Sequence, residues 1–205
     1  MIEAKRTWLG VVFFELYAKI QLRRYFRNIY FDGSFADRGK PVLIIANHFS
    51  WWDGFIQILL NQKVLNKKFH VMMLEEELKK NLILNSTGAF SIKKNSRTVI
   101  DSLNYSVQLL KNSCNMVLIF PQGKIESVYT HNFVFEKGID YILKRLSDDV
   151  QVVFNVNLID YFSFKQPSLS INYKEYKVNH KEDILSIEAA FNDYIHACMN
   201  KQVPR

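Results

Sequence analysis

The sequence predicts an α/β fold with a largely parallel central sheet flanked by helices. An N-terminal amphipathic, membrane-associating helical segment precedes it. Three observations predict this. Short continuous apolar runs, such as "PVLIIA" and "NMVLIF", read as strands buried on both faces, the mark of a parallel sheet. Stretches of helical spacing alternate with those runs. The 205 residues, 48% hydrophobic and 23% charged, are enough for one domain with a sizeable core.

The elements follow in chain order. Residues 1–31 form the membrane-associating segment and residues 32–205 the α/β domain. From Trp8 to Tyr17 the segment is nearly all apolar, interrupted by Gly10 and Glu15. This run is shorter than the roughly 20 apolar residues of a spanning helix, and it has no small-residue cleavage site. Beyond Ala18, Lys19, Arg23, Arg24 and Arg27 alternate with Ile20, Leu22, Tyr25 and Phe26. Rings and aliphatic chains on such a helix can enter the acyl boundary while the cations meet lipid phosphates. A helix that simply caps the core would read the same way.

After "DRGK", residues 41–46 are the first buried strand. "GFIQILLNQKVL" reads as a helix, "KFHVMML" as a strand and "EEELKKNLILNS" as a helix. "GAFSI" is a short strand, followed by the basic turn "KKNSR". Val99, Leu103, Val107 and Leu110 have helical spacing. "NMVLIF" is a buried strand halted by "PQG", and "EKGIDYILKRL" a helix. "VQVVFNVNLI" and "SLSINYKEYKV" are strands, and "EDILSIEAAFNDYIHACMN" is a closing helix.

The net charge of +7 suits an anionic bilayer, acidic carriers or nucleic acid. No nucleic-acid motif occurs, and the basic residues cluster with apolar ones, so nucleic acid is not expected as a partner. Cys114 and Cys198 form neither a metal spacing nor a disulfide framework, which fits a reducing compartment.

"NHFSWWDG" places His48 directly after a buried strand and Asp53 just before a helix. Ligand sites of open α/β sheets form at the carboxyl ends of strands. A neutral imidazole can take a proton from a hydroxyl as that oxygen attacks a carbonyl. A carboxylate on the other ring nitrogen fixes the tautomer and stabilises the imidazolium. Taken alone, Asp53 could equally be a helix N-cap and His48 a loop residue. His70, His131, His180 and His196 have no partner at metal-ligand spacing and read as structural or solvated.

The stretch "NHFSWWDG" resembles the HxxxxD motif of the glycerolipid acyltransferase family, which includes the lysophosphatidic acid acyltransferases. Three further stretches resemble that family's blocks in order. "VMMLEEELKKNLILNSTGAFSIKK" is similar to its second block, with Lys94 at the usual arginine. "VLIFPQGKIES" is similar to FPEGTRS, and "VQVVFNVNLI" occupies the fourth block. The resemblance covers roughly residues 40 to 165. It implies that His48 is the general base and Asp53 its orienting partner. It also implies an acyl-CoA or acyl carrier protein thioester as donor, a lipid hydroxyl as acceptor, and neither metal nor acyl-enzyme. The implied location is the cytoplasmic face of a membrane, peripheral or monotopic.

The expected substrate contacts are Lys94, Arg97, Phe120, Pro121, Gln122, Gly123 and Lys124. Gln122 stands where the family has glutamate, and Lys124 and Ile125 where it has threonine and arginine. A guanidinium matches a phosphate bidentately and Ile125 cannot. The acceptor is therefore either a lysophospholipid or a lipid with a non-phosphate head, such as a glycolipid or amino-acid lipid. Gln122 and Glu126 could bond head-group hydroxyls, or Gln122 could support the "FPQG" turn. The Gly123 N–H could hold an oxyanion. Trp51 and Trp52 wall the acyl channel or pack on the N-terminal helix. An acyltransferase fold that binds lipid without turnover is the alternative to an enzyme.

Overall fold

The computed structural model describes residues 1–94, 97–147, 149–178 and 183–204. His180, Glu182, and Asn95 and Ser96 of the basic turn lie outside the described residues. Helix α1 (Trp8–Tyr25) leads into β1 (Ile29–Ser34) and β2 (Val42–Ala46). Then come α2 (Asp53–Leu60), β3 (Lys68–Leu74), α3 (Glu75–Lys80), β4 (Ala89–Ile92) and α4 (Val99–Leu109). The chain closes with β5 (Asn115–Ile119), α5 (Lys137–Leu143), β6 (Gln151–Asp160), β7 (Ser168–Tyr176) and α6 (Ile184–Asn200).

The seven strands form one sheet in the order β1-β7-β6-β2-β5-β3-β4. Every neighbouring pair is parallel except β6 with β7. The apolar runs of β2 and β5 are buried at every position, as strands covered on both faces must be. One core lies between the sheet, α1 and α2, around Phe14, Leu22, Ile44 and Ile56. The other lies beneath α4, α5 and α6, around Leu103, Ile142, Phe154 and Phe191.

Two elements depart from the sequence reading. "EEELKKNLILNS" is not one helix: α3 ends at Lys80, and Leu82–Thr87 form a 3-10 turn. Asn81 breaks the helix with a non-helical backbone (φ −131°, ψ 51°), and the Asn85 amide holds the next turn through Glu3 C=O and Ala89 C=O. Residues 29–34, whose first part falls at the end of the expected helical segment, form β1 instead, a half-covered edge strand that packs Ile29 and Phe31 on the core and is held by its ladder with β7. The division between residues 31 and 32 falls inside this strand.

α1 is built into the fold. Thr7 caps it by accepting from the Gly10 N–H at 3.2 Å. A Cβ on Gly10 would meet Ser86 Oγ at 2.1 Å, so only glycine lets the helix lie this close to the 3-10 turn. Phe14, Ala18 and Leu22 face the core. Leu9, Val12, Phe13, Leu16 and Ile20 share a second stripe that is exposed to solvent, and the exposed Arg23 and Arg24 continue it. The helix is thus apolar on two sides, which is why its amphipathicity is weak in sequence. Among the described residues no helix is long and apolar enough to cross a membrane.

Candidate active site

The register of the sheet assembles the site. Ile45 of β2 lies opposite Ile119 of β5, so residues three further on, His48 and Gln122, face each other past the strand ends. Val71 of β3 lies opposite Leu118, and Leu74 opposite Ile92 of β4. The carboxyl ends of β2, β5, β3 and β4 therefore converge on one edge of the sheet, carrying His48, Phe120 and Lys94.

His48 Nδ1 lies 2.8 Å from Asp53 Oδ2. The same oxygen accepts the backbone N–H groups of Phe49, at 2.7 Å, and Ser50, at 2.9 Å. The loop curls around the carboxylate because Asp53 opens α2, where the unpaired N–H groups and the helix dipole favour a negative charge. Asp53 is 0% exposed. Burial pushes its carboxyl above the ordinary aspartate range, while the bonds from His48, Ser50 and Phe49 pull the other way. With the carboxylate accepting at Nδ1, the imidazole lone pair sits on Nε2. The ring stacks on Phe120 with centroids 4.0 Å apart and planes 14° from parallel.

His48 and Phe120 line a cleft of about 890 Å³. Its walls are mainly apolar, with Phe55, Ile58, Met72, Met73, Leu103 and Ile142 among them. The methionines thus face the cleft as well as the core. Trp51 lines the cleft, whereas Trp52 stacks on Tyr17 and lies tilted against Tyr25, both of α1.

Gln122 is 3% exposed and its amide is occupied. Its Oε1 accepts the His48 N–H at 2.8 Å, and its Nε2 donates to His48 C=O at 3.3 Å and to Glu126 Oε2 at 3.0 Å. The side chain thus pairs with the His48 backbone as a neighbouring strand would, in place of the expected contact with substrate. The Glu126 N–H also donates to His48 C=O, at 3.0 Å. Gln122 and Lys124 hold the Glu126 carboxyl below its usual range.

Gly123 has φ +63°, in the left-handed region, and lines the cleft. Its N–H donates to Phe120 C=O at 3.1 Å, closing the turn. The oxyanion role expected of that N–H is corrected accordingly, since the donor is spent within the turn. Pro121 lines the cleft, and its C=O accepts the Glu136 N–H at 2.8 Å. Lys94 and Lys124 both line the cleft, and each is already paired: Lys94 with Glu136 at 2.8 Å, Lys124 with Glu126 at 3.0 Å. Arg97 is exposed and is not among the residues that line the cleft. Glu136 escaped the sequence reading because 42 residues separate it from Lys94. No local signal marks such a pair.

His70 is buried in β3, and burial and Arg6 lower its pKa to about 4. His131 and His196 are exposed. Phe154 of the fourth block lies wholly in the core, stacked on Tyr176 with centroids 4.4 Å apart. Among the described residues no group of three or more His, Cys, Asp and Glu side chains is placed to hold a metal ion. A family model described as Acyltransferase matches residues 22–154 of the chain. A search of curated proteins finds no match.

Proposed function

The chain belongs to the acyltransferase family, and from that premise we propose that it is an O-acyltransferase working on one leaflet of a membrane. In this reading His48 is the general base, Asp53 its orienting partner, and an acyl thioester the donor. One observation carries it: the His48–Asp53 pair, 2.8 Å apart, sits at an apolar cleft of about 890 Å³. That volume is within the range of sites for drug-sized ligands. The apolar lining suits an acyl chain.

The step follows from the geometry. A lipid hydroxyl hydrogen-bonds to His48 Nε2, and its oxygen attacks the thioester carbonyl as the proton passes to the ring. Asp53, deprived of water, stabilises the imidazolium against its Nδ1–H. The tetrahedral intermediate collapses with cleavage of the C–S bond. The thiolate takes the proton back from Nε2 and leaves as the free thiol. The ester is formed, and the histidine returns to its starting state. Phe120 restricts the ring from one face, and Gln122 fixes its backbone from the β5 side.

Two surface features support a membrane location. The exposed stripe of α1, with Leu9, Phe13 and Leu16, is an apolar patch of the kind that marks an interaction surface. Arg23 and Arg24 sit at its end, where lipid phosphates would meet them. Trp51 and Ile125 are exposed and line the cleft, so its mouth offers an entering lipid apolar contacts beside the exposed Lys94 and Lys124.

The test is transfer of a labelled acyl group from acyl-CoA, or from an acyl carrier protein, into a membrane lipid extract. Removing the base costs about a hundred- to ten-thousandfold, so His48→Ala should abolish measurable transfer while the protein keeps its melting temperature. Full transfer by His48→Ala would refute the assignment.

A further inference from the structure

Strand polarity puts a second exposed apolar feature on the catalytic edge of the sheet. β6 runs parallel to β2, with Asn155 opposite Ala46, and continues to Asp160. At about 3.3 Å per residue it overshoots Ala46 by about 16 Å. The β6–β7 turn therefore stands beyond the strand ends, beside the strand that leads into His48. The turn reads "YFSF", and Tyr161, Phe162 and Phe164 are 59, 42 and 39% exposed. The Phe164 N–H donates to Tyr161 C=O at 2.9 Å, which closes the turn. Phe162 takes φ +45°, in the left-handed region where a bulky residue is an outlier. A buried ring would offset the cost of that conformation, yet this one is presented to solvent.

Cations accompany the rings. The Arg27 guanidinium lies over the Phe164 ring, 3.4 Å from its centroid. Lys165 is exposed, as are Arg23 and Arg24 of α1. The Gln166 amide donates to Arg24 C=O at 3.2 Å, and the Arg27 N–H to Pro167 C=O at 2.9 Å, so the turn is tied to the end of α1. The Asp160 carboxylate at the base of the turn accepts from the Gln202 amide at 2.8 Å.

We propose that the β6–β7 turn is a second membrane contact, its three rings entering the acyl boundary of an anionic leaflet while Arg27 and Lys165 meet lipid phosphates. The inference rests on the membrane reading of α1 and deepens it. Exposed Tyr25, Arg23 and Arg24 join the turn to the apolar stripe of α1. Aromatic bodies with cationic neighbours suit the head-group level of a bilayer. A helix stripe alone leaves the molecule free to rock about the helix axis. A contact from the sheet layer removes that freedom and holds the edge carrying His48 toward the lipid.

An environment-sensitive fluorophore tests this. One sample carries it on Phe162→Cys in a full chain that also has Cys114→Ser, and the other carries it on Cys114 of the unaltered chain. Cys114 is exposed and precedes β5, at the opposite edge of the sheet, while Cys198 is buried and stays unlabelled. With vesicles of phosphatidylglycerol and phosphatidylcholine, emission from position 162 should shift to the blue and be quenched by lipids brominated in the acyl chain. The probe on Cys114 should show neither change. Phe164→Cys serves in the same way should Phe162→Cys fail to fold. Tyr161→Ser/Phe162→Ser/Phe164→Ser should weaken sedimentation with these vesicles by at least about tenfold at an unchanged melting temperature. If the chain sediments with vesicles while the probe at 162 stays in water, the turn contact is refuted and the α1 contact stands. If the chain does not sediment with vesicles, both are refuted. Quenching at both positions shows insertion without orientation and overturns the inference. Shielding of position 162 by an acyl carrier protein and not by vesicles assigns the turn to a protein partner, and overturns it too.

Discussion

Replacing Gln122 by glutamate, the residue of the family block this stretch resembles, should damage this protein. The amide is used at both ends: Oε1 accepts from His48 N–H, and Nε2 donates to His48 C=O and to Glu126 Oε2. A carboxylate keeps the first bond and loses both donations. Two net hydrogen bonds are worth about 1–3 kcal/mol. The substitution also sets two carboxylates against each other where nitrogen and oxygen are now 3.0 Å apart. At an effective dielectric of about 20, that repulsion is at most about 5 kcal/mol. Proton uptake by the pair limits it, so the total cost at pH 7.5 should be about 2–4 kcal/mol. Urea denaturation of Gln122→Glu against the parent, from pH 7.5 down to pH 5, measures this. The sign is set by linkage. One carboxyl of the new pair has a raised folded-state pKa, so the loss is largest above that pKa and shrinks as acid restores a donor. The double variant Gln122→Glu/Glu126→Gln removes the repulsion and should recover about half the loss. If Gln122→Glu is as stable as the parent at pH 7.5 and shows no pH dependence, Gln122 does not hold the His48 backbone as described.

Three further outcomes are expected. Asp53→Asn should lower kcat by about a hundred- to ten-thousandfold without lowering stability at pH 7. The Asp53 pKa is raised by burial, so this carboxyl's stabilising contribution belongs to acid pH and is lost as pH rises through the folded-state pKa; parallel urea melts and turnover assays check both effects. The triple variant Leu9→Ser/Phe13→Ser/Leu16→Ser should weaken sedimentation with anionic vesicles by at least about a hundredfold, with little change in melting temperature because these side chains are exposed. Phe14→Ala on the inner face should cost about 3–5 kcal/mol, and a reversed pattern between the two variants would refute the two-sided reading of α1. His70, with a folded-state pKa of about 4 against about 6.5 in the unfolded chain, contributes stability that is complete above pH 6.5 and lost as pH falls toward 4. His70→Gln should therefore flatten the acid limb of a stability–pH curve by up to about 3 kcal/mol.

By itself the sequence determined what depends on neighbours along the chain. The buried strands β2 and β5 are runs of apolar residues covered on both faces, and no other local state suits them. His48 and Asp53 lie five residues apart on one tight loop at a helix start, so short-range geometry alone brings them together. What depended on distant partners was decided only in three dimensions. β1 is a strand because β7 pairs with it, and α1 belongs to the core because Phe14, Ala18 and Leu22 meet α2 and the sheet. Gln122 became a clamp on His48 through the register of β2 against β5, a relation between residues 74 apart. Lys94 and Lys124 read as substrate contacts in sequence, and the fold pairs them with Glu136 and Glu126. Charges add in sequence but cancel in space, and only the fold determines which ones lie close enough to cancel.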